Sequence, residues 1–237
     1  MSTSAPHSRA PENQLLRSLY PAELDRLRKL LQPVELEQHA VVFEAGQAMP
    51  HVLFVDEGMI SVVSTMENGA RIEVGTIGNE GVAGLGAILG VLSTPYRYTV
   101  QVAGRGRRLS AEALFAELRG DRQLARVLYR YSAAFVTQVM QGVACNGLHS
   151  VEQRCCRWLL TTQDRLGSQV INITHDFLAQ MLGVRRASVT EVLRPLQTEG
   201  LIRARRGQVT ILDPKRLALS SCECYRVIRN EYERLLG

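Results

Sequence analysis

The sequence predicts an α+β fold in three parts: an N-terminal antiparallel β-roll, a long helix, and a C-terminal winged helix-turn-helix. Three observations predict this fold. Short runs of Val, Ile, Leu and Phe recur between glycine-containing turns in the first half of the chain, as in antiparallel sheets. Apolar residues then recur three or four positions apart over residues 121–147, as on a helix. Two short amphipathic segments joined at a Gly precede a hairpin pattern near the C-terminus.

Composition indicates a globular chain without export or membrane signals. The 237 residues include 28 Lys and Arg against 23 Asp and Glu, a mild net charge of +5. Residues 1–13 are rich in Ser, Pro and Ala and predict a disordered tail. The longest apolar run, residues 82–92, is shorter than the roughly 18 residues that span a bilayer. An odd count of five Cys favours free thiols in a reducing cytoplasm, where we expect the protein.

The β-roll is predicted over residues 14–120, together with flanking helices. A helix is expected first, over residues 14–31. The predicted strands cover residues 41–43, 52–55, 59–64, 72–75 and 98–102. Turns are expected at residues 45–46, 57–58 and 68–69, of which Asn68-Gly69 is a strong hairpin signal.

The long helix, residues 121–147, carries one apolar stripe. Its members are Leu124, Leu128, Tyr131, Phe135, Val139 and Val143. A stripe that faces the protein's own core is one interpretation. Because the stripe is long and lies between two compact modules, we expect it to pair with the same helix of a second copy. Gly147 is predicted to end the helix, and Ser150 to cap the next one, which contains Trp158.

Residues 148–237 form the predicted winged helix domain. Thr174 caps a first helix, Gly183 ends it, and a second helix begins near Arg185. Residues 201–205 and 208–212 predict a hairpin with its turn at Arg206-Gly207. Between residues 185 and 206 there are six Arg against two Glu, which suits a phosphate backbone. A solvated helix would also show polar residues, but the wing favours a DNA-reading module.

Four features together carry a resemblance to a known family. They are the segments VLFVDEGMISVV and IGNEGVAG, the long helix, and LAQMLGVRRASVTEVL in the winged helix. From about residue 14 onward the chain resembles the cAMP receptor protein/FNR (Crp/Fnr) family of bacterial transcription regulators. The resemblance implies a cyclic-nucleotide-binding-like roll, a homodimer formed by the long helix, and a palindromic DNA site read in adjacent major grooves. It also implies contact with RNA polymerase.

The resemblance assigns roles on the second helix of the winged domain. Arg186 occupies the slot from which family members bond guanine, while Ala187 stands where many members have Glu. The predicted base-reading residues are Arg186, Ala187, Ser188 and Thr190. The predicted DNA-backbone contacts are His175, Arg185, Arg203, Arg205 and Arg206. Pro195 is expected to kink this helix.

The effector site departs from the cAMP-binding pattern of the family. In those members a Gly-Glu pair holds the ribose and an Arg-Ser or Arg-Thr pair grips the phosphate. Here the first pair reads Asn79-Glu80, and Arg97 is displaced by one position, which turns a strand side chain to the opposite face. We expect an effector pocket that binds an unidentified small molecule and is lined by Glu80, Gly81, Arg97 and Tyr98.

No metal or cofactor is expected. The iron–sulfur branch of the family uses N-terminal cysteines, but no Cys precedes Cys145. Cys222-x-Cys224 lacks a second pair, so a metal site is not predicted, and a thiol switch there stays open. Cys155 and Cys156 are interpreted as packing residues.

The chain shows no arranged acid, base and nucleophile, so an enzyme is not expected. The alternative hypothesis is a cyclic-nucleotide-binding regulatory module that acts through protein contacts.

Overall fold

A computed structural model, which describes residues 13–119 and 122–237, confirms the α+β class. A β-roll is followed by a long helix and a smaller domain of helices around a three-stranded sheet. Residues 1–12 of the predicted tail lie outside the described residues. Asn13, which we had included in that tail, is instead fully buried and accepts hydrogen bonds from the backbone N–H groups of Leu15 and Leu16.

The predicted N-terminal helix is interrupted. The structure has two helices there, α1 (Gln14–Arg17) and α2 (Pro21–Arg28). Tyr20 precedes a proline and is extended, with φ −59° and ψ 144°. The break follows from Pro21, because its ring disfavours the helical conformation of the preceding residue.

The roll is antiparallel throughout. Its elements are β1 (Gln32–Leu36), β2 (Val41–Phe43), β3 (His51–Thr65), β4 (Arg71–Ile77), β5 (Val82–Ala83), α3 (Leu85–Ile88), β6 (Arg97–Ser110) and α4 (Ala111–Leu118). The strand order is β1-β6-β3-β4, with β2 paired to β6 and β5 paired to β3. Apolar side chains such as Phe54, Val55 and Leu109 fill the interior.

One predicted turn of the roll is wrong. Residues 52–55 and 59–64 belong to the single strand β3, and Glu57-Gly58 lies inside it, where the register with β6 shifts. Gly58 has φ +89°, and a Cβ there would lie 2.5 Å from the carbonyl oxygen of Val102. A glycine in a strand can mark a bulge as well as a turn. The Asn68-Gly69 turn is confirmed between β3 and β4.

The long helix α5 (Gln123–Leu148) passes through Gly147, so the predicted end is one residue early. The predicted dimer stripe is corrected at four positions. Leu124, Leu128, Tyr131 and Phe135 are buried in the same core as the roll of their own chain. These four side chains cover the apolar face of the roll, which would otherwise be exposed to water. Val139 is partly buried against this core, and Val143 is exposed.

The C-terminal domain contains α6 (Val151–Leu166), β7 (Val170–Ile171), α7 (His175–Leu182), α8 (Arg186–Thr198), β8 (Ile202–Arg205), β9 (Gln208–Ile211), α9 (Pro214–Ser220) and α10 (Cys224–Leu236). Ser150 caps α6 through a reciprocal capping box with Gln153, as predicted. A second core forms around Trp158. The last helix, α10, packs back against α5. None of the described helices is long and apolar enough to cross a membrane.

Candidate nucleic-acid interface and effector region

The helix-turn-helix is built as its sequence predicts. The Thr174 hydroxyl accepts a hydrogen bond of 3.2 Å from the backbone N–H of Phe177 and starts α7. Gly183, with φ +63°, ends that helix in the left-handed conformation. Arg185 precedes α8 with extended backbone and makes no side-chain cap bond. A basic side chain therefore stands at the N-cap position of α8.

Burial fixes which side of α8 faces outward. Val189, Leu193 and Leu196 are buried against the domain. Since successive residues are about 100° apart around a helix, Ala187, Glu191 and Arg194 lie at the centre of the opposite, exposed face. Glu191 and Arg194 were not among the predicted base-reading residues. The sequence signal for these two residues is their spacing, since positions four and seven residues after Ala187 lie on the same face of a helix.

The other predicted readers lie on the flanks of this outward face. Arg186 and Thr190 are exposed on the flank that faces the wing, whereas Ser188 is half-buried on the opposite flank. Pro195 lies within α8, which runs uninterrupted from Arg186 to Thr198.

A groove lined by basic side chains lies between α8, the start of α7 and the wing, which is the hairpin of β8 and β9. It is lined by residues that include His175, Arg186, Thr190, Arg194, Arg205 and Arg206. His175 Nδ1 lies 3.1 Å from Thr190 Oγ1. Arg186 Nη1 lies 3.6 Å from Asp176 Oδ2, and both side chains are 68% exposed, so this ion pair is weak and leaves Arg186 available. Arg185 and Arg203 are exposed but lie outside the lining of the groove.

The four residues of the expected effector pocket do not converge on one cavity. Arg97 donates to Glu44 Oε2, with its Nη2 at 2.8 Å and its Nε at 3.1 Å. Tyr98 is buried edge-on against Phe43, with ring centroids 5.4 Å apart, and burial raises its pKa to about 12. The alternation of β6 places Tyr98 inside and Arg97 outside, as the one-residue slip implies.

Glu80 and Gly81 both contact helices of the same chain. Glu80 Oε1 accepts from Arg165 Nε at 2.8 Å, and its carboxylate also accepts from the backbone N–H of Gly78 at 3.1 Å. A Cβ at Gly81 would lie 2.7 Å from the ring of Tyr131. Of the four expected residues only Glu80 lines the cavity that it shares with Arg165, so the structure does not bring the four together into one pocket.

Comparison with known proteins finds a matching family for the roll and another for the C-terminal domain. A family model for a Crp-like helix-turn-helix domain matches residues 153–219, and a model for a cyclic nucleotide-binding domain matches residues 33–116. The chain belongs to the Crp/Fnr family of transcription regulators. As a Crp/Fnr protein, it falls in a family of DNA-binding regulators and not in a class of enzymes.

Relatives of this Crp/Fnr protein share its fold at low identity. The CRP-like cAMP-activated global transcriptional regulator of Mycobacterium tuberculosis is 23% identical over 211 residues, which covers 86% of this chain and 94% of that protein. FixK2 from Bradyrhizobium japonicum has a TM-score of 0.69 at 16% identity, over 81% of this chain and 98% of that chain. The c-di-GMP responsive global regulator CLP of Xanthomonas campestris has a TM-score of 0.66 at 16% identity, over 81% and 99%.

A buried polar network joins the parts of this Crp/Fnr protein. The side chain of Arg165 pairs with Glu80 and also donates a hydrogen bond to Gln138 Oε1 on α5. Tyr232 on α10 donates to the same oxygen at 3.3 Å. Beside the network lies a cavity of about 420 Å³. Roll, long helix and C-terminal domain thus meet at one arginine.

A second buried contact links the roll to α6. Glu73 on β4 accepts hydrogen bonds from Trp158 Nε1 at 2.9 Å and from Ser61 Oγ at 2.6 Å. Burial raises the pKa of Glu73 to about 7, although both hydrogen bonds act in the opposite direction. The sequence does not predict this contact, because Glu73 and Trp158 are 85 residues apart.

Proposed function

We propose that this protein is a homodimeric regulator that binds a palindromic DNA operator by placing α8 in the major groove. The groove that Arg186, Arg194, Arg205 and Arg206 line beside the exposed face of α8 carries this proposal. Arginine bonds guanine edges with two N–H groups, and wing arginines suit phosphates. Ala187 offers no acceptor for cytosine, so the half-site differs from that of relatives with Glu in this position.

The dimer is supported by a second apolar stripe on α5. Tyr129, Val136, Met140 and Val143 are exposed on this helix, with 51, 46, 67 and 70% of their surface accessible. They recur at intervals of three, four and seven, on the side away from the roll core. In the proposed dimer this stripe packs on its twin, and the two α8 helices read half-sites about 34 Å apart.

We propose that the protein contacts RNA polymerase and that the effector is not cAMP. The M. tuberculosis relative is described as cAMP-activated. In this chain Arg97 is paired with Glu44 and Glu80 with Arg165, so neither is free for a ribose phosphate. A cyclic nucleotide would have to break both ion pairs before it gained its own.

Selection of bound fragments from a random DNA pool, with and without cAMP and cyclic di-GMP, tests the DNA proposal. A palindromic consensus supports it, and binding to no fragment at moderate salt contradicts it. On the selected site, Arg186→Ala should cost about 1–3 kcal/mol and relax one base pair, while Arg205→Ala should weaken all sequences equally. Arg234→Ala, which removes the same charge from α10, is the matched control and should change neither. Equal losses for Arg186→Ala on cognate and random DNA would show that Arg186 reads no base.

A further inference from the structure

Three cysteines and one histidine converge where α10 begins and α5 ends. Cys145 and His149 are one helical turn apart at the end of α5, and Cys222 and Cys224 flank the start of α10. One ligand atom from each of the four lies within 4.8 Å of all the others. The chain therefore supplies at this joint the second pair of ligands that Cys222-x-Cys224 lacks in sequence.

The spacing of these atoms matches a single tetrahedral metal ion. The Sγ atoms of Cys145 and Cys222 are 3.5 Å apart, and Cys224 Sγ lies 3.5 Å from His149 Nδ1. Around a Zn²⁺ ion with ordinary bond lengths, the sulfur–sulfur edge is about 3.8 Å and the sulfur–nitrogen edge about 3.6 Å. Ligands of a multi-iron cluster would have to stand farther apart, since several metal atoms separate them.

The histidine is held in the orientation that a metal ligand needs. His149 Nε2 lies 3.2 Å from Glu223 Oε2, a distance at which this nitrogen, when it carries the ring proton, donates it to the carboxylate. The other ring nitrogen, Nδ1, then carries the lone pair and faces Cys224. A carboxylate that orients a ligand histidine through its far nitrogen is the usual outer partner of zinc sites.

The surroundings suit negatively charged sulfur. Gln141 donates a hydrogen bond of 3.2 Å to Cys224 Sγ. Arg154 and Arg157 on α6 lie close enough to interact electrostatically with Cys145. Among the described residues, their Nε atoms are buried without a hydrogen-bond acceptor. All three cysteines are buried, so a bound ion would be shielded from solvent.

We propose that Cys145, His149, Cys222 and Cys224 bind one Zn²⁺ ion in a closed tetrahedral site. Three thiols lose their protons on binding, and the neutral imidazole completes the set with a net charge of −1. The two arginines balance this charge together with that of the Glu223 carboxylate. The ion would fasten α10 to the end of α5. It would thereby fix the C-terminal domain to the long helix through a metal bond.

The first test measures the metal in the intact wild-type protein. Purified under reducing conditions, it should contain one Zn²⁺ per chain by elemental analysis. After zinc removal, one equivalent of Co²⁺ should give the thiolate charge-transfer and d–d absorption of tetrahedral coordination. Removal should lower Tm by about 5–10 °C, because the ion binds only the folded chain. A protein without stoichiometric zinc that gives no tetrahedral cobalt spectrum, or one that holds a Cys145–Cys222 disulfide instead, would overturn the proposal.

Variants then separate the site from general folding effects. Cys145→Ser and Cys224→Ser should lose the metal, whereas Cys155→Ala, at a buried cysteine outside the cluster, should keep it. Glu223→Gln leaves every ligand in place and should weaken zinc binding 10- to 100-fold. The proposal is wrong if Cys145→Ser, folded by circular dichroism, retains zinc with unchanged affinity.

Discussion

At the scale of single residues, Glu73 makes a buried contact between domains depend on pH. The Ser61 hydroxyl has one proton but lies within hydrogen-bond distance of both Glu73 and Gln101 Oε1. When Glu73 is protonated it donates to Ser61, which is then free to donate to Gln101. With the Gln101 amide oxygen facing Ser61, protonated Glu73 satisfies both of these bonds together with the bond from Trp158.

The sign of the resulting pH dependence follows from the pKa. The folded pKa of Glu73 is about 7, against an ordinary value of 4.5, so the folded protein holds the proton more tightly. Stability therefore falls by up to about 1.4 kcal/mol per pH unit as the pH rises from 4.5 to 7, and is level above that. Glu73→Gln imitates the protonated acid and should remove this slope, so its Tm should exceed that of the wild type at pH 8.

Thermal unfolding between pH 5 and pH 8 provides the measurement. Glu67→Gln, at an exposed position in the hairpin turn, is the control and should follow the wild-type curve. Parallel curves for wild type and Glu73→Gln would show that Glu73 is ionised in the folded protein.

Residue-scale predictions from sequence succeeded where the determinant was local. Thr174 and Ser150 cap their helices because capping depends on a few neighbouring residues. The partner of Glu80 was not predictable in the same way. Arg165 is 85 positions away, and only the packing of α6 on the roll brings the two together.

At the scale of elements, α5 shows what the periodicity of apolar residues in a sequence does not predict. The helix has apolar side chains on two sides, and the sequence does not state which side covers the roll. Leu128 and Tyr131 are buried in their own chain, while Val136 and Met140 remain exposed. The long helix was predicted correctly, but the face assigned to the dimer was wrong at four positions. A 3.6-residue repeat specifies that a face is buried, not what buries it.

Met140→Glu tests the dimer face that the structure offers. Met140 is 67% exposed in the single chain, so a charge there costs the folded protomer little. In a dimer the two carboxylates would be desolvated and would repel each other. We expect Met140→Glu to be monomeric by light scattering, with operator affinity reduced at least tenfold because two half-sites are no longer bound together.

Leu128→Ala, on the buried side of α5, is the informative contrast. It should lower the free energy of unfolding by about 2–5 kcal/mol through the cavity it leaves. It should not change the oligomeric state of the folded fraction. A dimeric Met140→Glu protein would exclude this face as the dimer contact.

At the scale of the whole molecule, the roll and the C-terminal domain are held together by buried groups and not by a flexible linker. Trp158 on α6 donates a hydrogen bond of 2.9 Å to Glu73 on β4 of the roll. A Cβ at Gly183 would lie 2.8 Å from the side chain of Ile72 on β4. The turn before α8 therefore rests on the roll. This contact connects β4 of the roll to the turn before α8, and sequence alone does not reveal it.

The ion pair between Glu80 and Arg165 links the roll to α6 and is almost fully buried. Their side chains are 11% and 6% exposed, so either charge left alone would be buried without compensation. Glu80→Gln should destabilise the protein by about 3–5 kcal/mol, and Arg165→Met by a similar amount. The double variant should recover most of the loss, because no unpaired charge remains.

A double-mutant cycle by urea unfolding measures the coupling free energy between Glu80 and Arg165. The control is the same cycle with Glu44→Gln and Arg97→Met, at a half-exposed ion pair. That second pair should couple by less than about 1 kcal/mol, since solvent screens it. If the coupling at Glu80 and Arg165 were also below about 1 kcal/mol, burial would not strengthen this pair and the prediction would be wrong. A large coupling at Glu80 alone means that an effector acting there must supply a replacement anion for Arg165. A neutral effector would leave the arginine buried and unpaired.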